Sequence, residues 1–158
     1  MTLEVITHDE WVAVSNSDIE SDQIAAVQEL TQLFNDSYCI WLSNFFSREG
    51  FNLVRVFSFA ETPKLSSYLW TLNVGHFMVK EYHDYKFPIK LLTRRGQQDP
   101  ESTNLCFEIC KATIDFYEVI FGQPYPFSKL DLVLCPMVRY TAMECAGCIV
   151  FTENMMGS

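Results

Sequence analysis

An apolar stripe at helical spacing in the second half of the chain constrains the fold more than any other sequence feature. The stripe consists of Leu105, Ile109, Ala112, Phe116, Val119 and Ile120. An Asp-Pro-Glu-Ser sequence of the kind that starts helices precedes it, and the pattern ends near Gly122. Pro124-Tyr-Pro126 then stops the helix, and Leu130–Cys135 has the composition of a buried strand. The sequence therefore predicts one long helix followed by a core strand.

The first half of the chain is predicted to be mainly β structure. Leu3 to Thr7 and Trp11 to Ser15 alternate like the two strands of a hairpin. From Ser21 to Asn35, apolar residues recur at helical spacing and predict an amphipathic helix. Tyr38 to Phe46 is aromatic-rich without a clear period, and we expect core packing or a subunit contact there. Further strands are predicted at about 53–59, 66–74, 77–80, 87–93 and 148–152.

Length and charge limit the classes of function. A chain of 158 residues, 49% of them hydrophobic, suits one domain or parts of two neighbouring domains. The net charge of −9 and the single basic pair Arg94-Arg95 argue against a nucleic-acid partner and favour a protein or peptide partner. No apolar run has the length of a membrane span, and residues 1–10 do not resemble a signal peptide. We expect a soluble, cytoplasmic protein.

The cysteines admit two interpretations. Six are present, at Cys39, Cys106, Cys110, Cys135, Cys145 and Cys148. They lie in predicted helices and strands rather than in a loop-rich framework, which favours buried, reduced thiols. The alternative is a structural zinc site, in which the Cys106/Cys110 pair and the Cys145/Cys148 pair together supply four ligands.

Several ordered motifs resemble the aminopeptidase N-like family of zinc aminopeptidases, the gluzincin type that includes alanyl aminopeptidase. The family's E-T-P-K-M-S-T-Y-L and V-G-x-F sequences correspond to Glu61–Leu69 and Val74–Phe77. Its D-F-Y-E-x-x-F-G-x-P-Y-P and K-L-D-L-V sequences correspond to Asp115–Pro126 and Lys129–Val133. Trp11–Asn16 resembles the family's W-x-x-x-S-N, so the likeness covers most of the chain except roughly residues 20–52.

The resemblance implies candidate substrate-binding residues. Thr141-Ala142-Met143-Glu144-Cys145 corresponds to the exopeptidase motif G-A-M-E-N, whose glutamate binds the α-ammonium group of the substrate. A carboxylate suits this task because it accepts charge-assisted hydrogen bonds. By the same resemblance, the backbone of Thr141-Ala142 runs beside an extended peptide. Thr141 and Cys145 depart from the family's glycine and asparagine.

Zinc is implied for the complete family enzyme but not for this chain. The family holds zinc with H-E-x-x-H and a distant Glu, whereas His8, His76 and His83 do not have that spacing. We therefore expect no metal site, no catalytic residue and no hydrolysis from this chain alone. We expect no site role for the three histidines. One hypothesis is a fragment of an aminopeptidase ending before H-E-x-x-H, which contributes the amino-end recognition loop. The alternative is a truncated, non-catalytic pseudoenzyme that acts as a structural or interaction subunit of a larger assembly.

The resemblance also implies the fold class and the domains. We expect an α+β chain with the end of an N-terminal β domain at 1–80, including an insertion at about 20–52. Residues 81–158 would then begin a thermolysin-like α/β catalytic domain. The remainder of such an enzyme, or a larger assembly, is a candidate partner.

Overall fold

The computed structural model describes residues 2–34, 37–96, 99–136 and 138–156 and has an α+β fold. The strands are β1 (Leu3–His8), β2 (Val12–Ser15), β3 (Ile19–Ala26), β4 (Leu53–Phe59), β5 (Leu72–Gly75), β6 (Phe77–Tyr82), β7 (Ile89–Arg94), β8 (Leu130–Cys135), β9 (Ala142–Met143) and β10 (Cys148–Thr152). The α-helices are α1 (Leu30–Leu33), α2 (Ser37–Arg48) and α3 (Pro100–Phe121). Short 3₁₀ turns occupy Val27–Glu29, Ser67–Leu69 and Glu153–Met156.

Three sheets organise the strands. A five-stranded mixed sheet has the order β6-β7-β8-β10-β9, with β7, β8 and β10 parallel to one another. A three-stranded antiparallel sheet has the order β1-β4-β3, and β2 pairs with β5 in a two-stranded sheet. The predicted domain boundary at residue 80 falls within β6, which belongs to the five-stranded sheet.

The five-stranded sheet is covered on both faces. On one face, Phe107 and Ile114 of α3 pack against alternate residues of β8, including Leu130 and Leu132. On the other face, Val14 of β2 packs against Val133 and its neighbours in β7 and β10. This arrangement explains why β8 is apolar apart from Asp131, because a central strand covered on both faces buries its side chains, all except the half-buried Cys135.

Helix α3 has a defined start and stop. The Asp99 carboxylate accepts hydrogen bonds from the Ser102 backbone N–H (2.8 Å) and hydroxyl (2.7 Å), and Pro100 occupies the first turn. Gly122 ends the helix in the left-handed conformation at φ 61°, which glycine adopts without strain. The predicted helix is therefore confirmed.

The apolar stripe that predicted α3 is not the face that packs on the sheet. Leu105 is 60% exposed, Val119 is 81% exposed and Ile120 is 60% exposed. The helix has apolar residues on two sides, and the sheet covers the side that carries Phe107 and Ile114. Helical periodicity identified the helix but not its buried face.

The predicted hairpin between the first two strands is wrong. The turn is present, because the Trp11 N–H donates to the His8 carbonyl at 3.0 Å. However, β1 pairs with β4 and β2 pairs with β5, so the two strands enter different sheets. Each strand pairs with a strand that is distant in sequence, and this pairing overrides the local turn signal.

The predicted helix from Ser21 to Asn35 is also wrong, apart from the described residues of α1. Residues 19–26 form β3, which pairs along β4, and Arg55 makes two hydrogen bonds to Asp22 across the strands at 2.7 and 2.6 Å. Ile24, which fitted the helical stripe, is 60% exposed. Asn35 lies outside the described residues. Pairing with β4 satisfies the backbone hydrogen bonds of residues 19–26. Sequence periodicity alone could not show this pairing.

One other predicted strand differs in the structure, and the aromatic-rich run at 38–46, for which the sequence indicated no clear period, lies within α2. In the strand predicted at 66–74, residues 67–69 form a 3₁₀ turn, and extended pairing begins at Leu72. Strands were correctly predicted at 53–59, 130–135 and 148–152.

The Asp99 cap gives a pH-dependent prediction. Hydrogen bonds from the Ser102 hydroxyl and N–H lower the pKa of Asp99, so its stabilising effect is present above about pH 4 and is lost as the pH falls through the lowered pKa. We expect Asp99→Ala to lower the melting temperature at neutral pH and to differ less from wild type in acid. Thermal unfolding followed by circular dichroism at both pH values measures this.

Asp99→Asn is the matched control, because it keeps an acceptor but cannot titrate. An Asp99→Ala deficit that stays constant down to about pH 2 would contradict the role of the charged cap.

Candidate functional site

The predicted substrate-binding residues lie at one edge of the five-stranded sheet. Ala142–Met143 form β9, which pairs antiparallel with β10, and the Thr141 carbonyl accepts from the Thr152 N–H at 3.0 Å. Strand β9 is the last in the strand order, so within the described part of the chain one side of its backbone has no neighbouring strand. This is the geometry that admits an added extended peptide.

The four predicted residues present different groups to solvent. Glu144 follows β9 with an exposed side chain, for which no hydrogen bond or ion pair is found among the described residues. Thr141 is also exposed. Met143 packs against the cluster that contains Val14, whereas Ala142 is half-buried. Glu144 and Thr141 are therefore the side chains available to a ligand, and Ala142 and Met143 provide mainly backbone.

A buried asparagine supports the loop that follows Glu144. The Asn16 amide donates to the Leu69 and Ala146 carbonyls, both at 2.8 Å. Its oxygen accepts from the Thr71 N–H at 3.0 Å. Asn16 is only 5% exposed, and these three bonds use three of the four that an amide can make. Asn16 therefore connects the Glu144 loop to segments far away in sequence.

An ion pair lies beside this asparagine. Lys129 and Asp131 are 5% and 4% exposed, and the Lys129 ammonium lies 2.6 Å from the Asp131 carboxylate. The same ammonium donates to the Ser15 carbonyl at 2.5 Å. Burial raises the pKa of Asp131, and the positive charge of Lys129 opposes that shift. The pair fixes β8 against the end of β2.

Gly147 completes the supporting structure. Its φ of 67° lies in the left-handed region, and a Cβ at this position would lie 2.6 Å from the Asn16 carbonyl oxygen. Its own carbonyl accepts from the Asp131 N–H at 3.1 Å. Only glycine fits this close approach, because both the backbone conformation and the space exclude a side chain.

Three of the sequence motifs meet behind Glu144. The S-N of the first motif supplies Ser15 and Asn16, and the K-L-D motif supplies the ion pair. The segment ending in Leu69 supplies a carbonyl that also accepts from the Ala146 N–H at 3.3 Å. The motifs alone do not reveal this supporting role. The sequence feature that could have indicated the buried ion pair is Asp131, because a charge within an apolar strand requires a buried partner.

The D-F-Y-E motif, residues 115–118, links α3 to its neighbouring loops through hydrogen bonds. Lys86 bonds to Asp115 at 2.7 Å and to Glu118 at 2.5 Å, and the Tyr125 N–H donates to Glu118 at 2.8 Å. Hydrogen bonds from Lys86 lower the pKa of both carboxylates and raise the pKa of the ammonium. Burial, followed by the hydrogen bond to Asp115, raises the pKa of Tyr85 to about 12.

The structure does not bring together the four cysteines of the alternative zinc site. Cys106 and Cys110 pack on the α3 face of the sheet, whereas Cys148 packs with Val14 on the opposite face. Five cysteines with described side chains are free thiols, and the side chain of Cys39 lies outside the described part. Within the described ranges, no group of three or more His, Cys, Asp or Glu residues has the geometry to hold a metal ion.

None of the helices in the described part of the chain combines the length and apolarity that a membrane span requires.

Comparison with known proteins matches one segment of the chain to a family model. Residues 105–157 match the model of the peptidase family M1 domain. The resemblance to the aminopeptidase N-like family is confirmed. The M1-like segment begins within α3 and includes β8, β9, β10 and Glu144.

The curated proteins to which this chain is similar are much longer than the chain itself. The chain is 37% identical over 103 residues to the leucyl aminopeptidase of Saccharolobus solfataricus, covering 64% of the chain and 13% of that protein. It is 30% identical over 134 residues to aminopeptidase 2 of Candida albicans, covering 82% and 14%. It is 34% identical over 101 residues to the tricorn protease-interacting factor F2 of Thermoplasma acidophilum, covering 63% and 12%.

The role of Asn16 can be measured directly. We expect Asn16→Ala to lower the free energy of unfolding by about 3 kcal/mol, because three buried hydrogen bonds are lost together. Chemical denaturation monitored by fluorescence gives the value. Asn104→Ala, on the exposed side of α3, is the control and should change stability by less than about 0.5 kcal/mol. Equal effects of the two substitutions would contradict the supporting role.

The buried ion pair gives a second prediction. We expect Lys129→Met to lower the free energy of unfolding by about 3–5 kcal/mol, because Asp131 then remains buried without its partner. The double variant Lys129→Met/Asp131→Leu should recover much of this loss. The single variant should also gain stability relative to wild type as the pH falls through the raised pKa of Asp131, because the buried carboxyl then becomes neutral. Additive losses in a double-mutant cycle would contradict this account.

Proposed function

We propose that residues 141–144 recognise the free amino end of a peptide, as part of a zinc metallo-aminopeptidase that removes N-terminal residues. One observation carries the proposal: Glu144 is exposed at the end of an edge strand, while buried hydrogen bonds hold the backbone immediately after it. A fixed carboxylate with a free face suits an α-ammonium group, because charge-assisted hydrogen bonds are strong and directional.

The edge strand supplies the second element of the proposed site. A peptide lying along β9 would pair with backbone groups near Ala142, and its amino end would reach Glu144. Two substitutions alter this surface relative to the family motif. Thr141 places a β-branched side chain where glycine permits close approach, and Cys145 lacks the amide of asparagine. We expect both to weaken peptide binding.

Hydrolysis would depend on residues outside this sequence. The described residues do not fit a zinc site of the family type, and the sequence contains no H-E-x-x-H. In the complete enzyme that we propose, zinc would activate the attacking water, and this chain's residues would hold the peptide amino end. The remainder of such an enzyme is the proposed partner, and the proposed location is the cytoplasm.

We also propose that the chain contains parts of two domains. The two smaller sheets use strands up to Gly75, and the five-stranded sheet begins at Phe77. This supports a division close to the predicted boundary at residue 80. Residues 20–52, the proposed insertion, include β3 and the described parts of α1 and α2.

The alternative is a non-catalytic aminopeptidase-like interaction subunit. It is favoured by the outward face of α3, where Ile109, Val119 and Ile120 are 57%, 81% and 60% exposed. Trp41 and Phe45 of α2 are also more than 40% exposed and stack at a centroid distance of 5.6 Å. One similar protein is named as a tricorn protease-interacting factor. This alternative predicts that Glu144 contributes nothing to peptide binding.

Substitution of Glu144 distinguishes the two functions. We expect Glu144→Gln to weaken binding of a peptide with a free amino end by roughly 10- to 100-fold, because a charge-assisted hydrogen bond is lost. Isothermal titration or fluorescence polarisation measures the change. The same peptide with an acetylated amino end should bind weakly and equally to both proteins.

Glu101→Gln on α3 is the matched control, since it removes an exposed carboxylate away from β9. Thr141→Gly/Cys145→Asn should strengthen binding of the free-amine peptide. Binding that is unaffected by Glu144→Gln would reject the recognition role and favour the interaction subunit.

A further inference from the structure

Two cysteines close the turn that follows Glu144. The Cys148 N–H donates to the Cys145 carbonyl at 3.1 Å, which makes residues 145–148 a hydrogen-bonded turn. Gly147 at the third position has the positive φ of a type II turn. The first and last Cα atoms of a β-turn lie less than about 7 Å apart, and disulfides join Cα atoms about 4.4–6.8 Å apart. The backbone therefore brings the two residues within the range of a disulfide.

The two thiols are directed toward the same segment of chain. The Cys145 sulfur lies 4.0 Å from the Trp70 carbonyl oxygen, to which its thiol donates. The Cys148 sulfur accepts from the Asn73 amide at 3.5 Å. That amide donates in turn to the Thr71 hydroxyl at 3.0 Å. Both sulfurs thus contact the segment 70–73, so they face a common region rather than opposite sides of the turn.

We propose that Cys145 and Cys148 form a reversible intrachain disulfide when the protein meets a disulfide oxidant such as oxidised glutathione. The bond would close the turn next to Glu144. It would also replace the contacts that the two thiols make with residues 70–73. This modification is independent of the proposed peptide recognition, because it follows from the turn geometry alone.

The exchange proceeds in two balanced steps. Cys145 is 6% exposed and Cys148 is fully buried, so Cys145 meets the oxidant first. Its thiolate attacks one glutathione sulfur, forming a mixed disulfide and releasing one glutathione thiolate. The Cys148 thiolate then attacks the Cys145 sulfur and releases the second glutathione. Two protein thiols are oxidised, one glutathione disulfide is reduced to two thiols, and the glutathiones take up the two protons.

Burial makes this exchange slow at neutral pH. Burial raises the pKa of Cys145, and it raises the pKa of Cys148 to about 12. Because the thiolate is the reacting form, the exchange rate should increase as the pH is raised through the alkaline range.

Helix α3 contains a natural control pair. Cys106 and Cys110 are four residues apart on α3 and are also free and half-buried. Neighbouring Cβ atoms at this helical spacing are about 5–6 Å apart, whereas a disulfide requires about 3.5–4.5 Å. We expect this pair to remain as thiols or to form separate glutathione adducts.

The experiment exposes the folded full chain to oxidised glutathione at several pH values. Peptide mapping by mass spectrometry without reduction then identifies linked cysteines, while circular dichroism verifies that the fold persists. We expect a Cys145–Cys148 link that dithiothreitol reverses and that forms faster at higher pH. Cys145→Ser and Cys145→Asn should abolish it, whereas Cys106→Ser should not.

The proposal fails if the folded chain carries only free thiols or separate adducts at Cys145 and Cys148. It also fails if the link forms only after urea unfolds the protein. Cys148→Ser tests the second step: it should stop the reaction at a mixed disulfide on Cys145. If that variant unfolds, the Cys145→Asn result still decides the question.

Discussion

The buried ion pair of Lys129 and Asp131 is the constraint on which the supporting framework of the candidate site depends. Both charges are almost fully removed from water, so each requires the other, and the Lys129 ammonium also donates to the Ser15 carbonyl. Asn16 adds a second buried polar group with partners on two further segments. Because such groups tolerate little displacement, they fix the relative positions of β2, β8 and the turn after Glu144.

This framework would support an exposed glutamate in the peptide site that we propose. Loop side chains are usually mobile, but the backbone after Glu144 is held by Asn16 and by the close approach of Gly147. Strand β9 is held on one side by β10 and, among the described residues, has no neighbouring strand on the other. Fixed backbone beside an exposed carboxylate would limit the entropy lost in the proposed binding of a peptide amino end.

The residues that differ from the family motif lie within the same supported region. Cys145 follows Glu144 directly, and its thiol faces the segment from Trp70 to Asn73 together with Cys148. A position where the family motif has an amide therefore carries a thiol in this chain, and this thiol is part of the disulfide that we propose. The proposed peptide recognition and the proposed disulfide use neighbouring atoms but rest on different observations, namely an exposed carboxylate and a closed turn.

The sequence by itself determined the elements with strong local signals. Asp99 and Gly122 mark the ends of α3, and continuous or alternating apolar residues predicted β4, β8 and β10. Glu144 was found from its motif. Tertiary structure alone decided that residues 19–26 pair with β4 as a strand, and which face of α3 packs on the sheet. It also decided that Asn16 and Lys129 meet behind Glu144. The physical reason is that strand pairing joins segments that are distant in sequence, and buried polar bonds join residues more than a hundred positions apart. No local pattern encodes such partners.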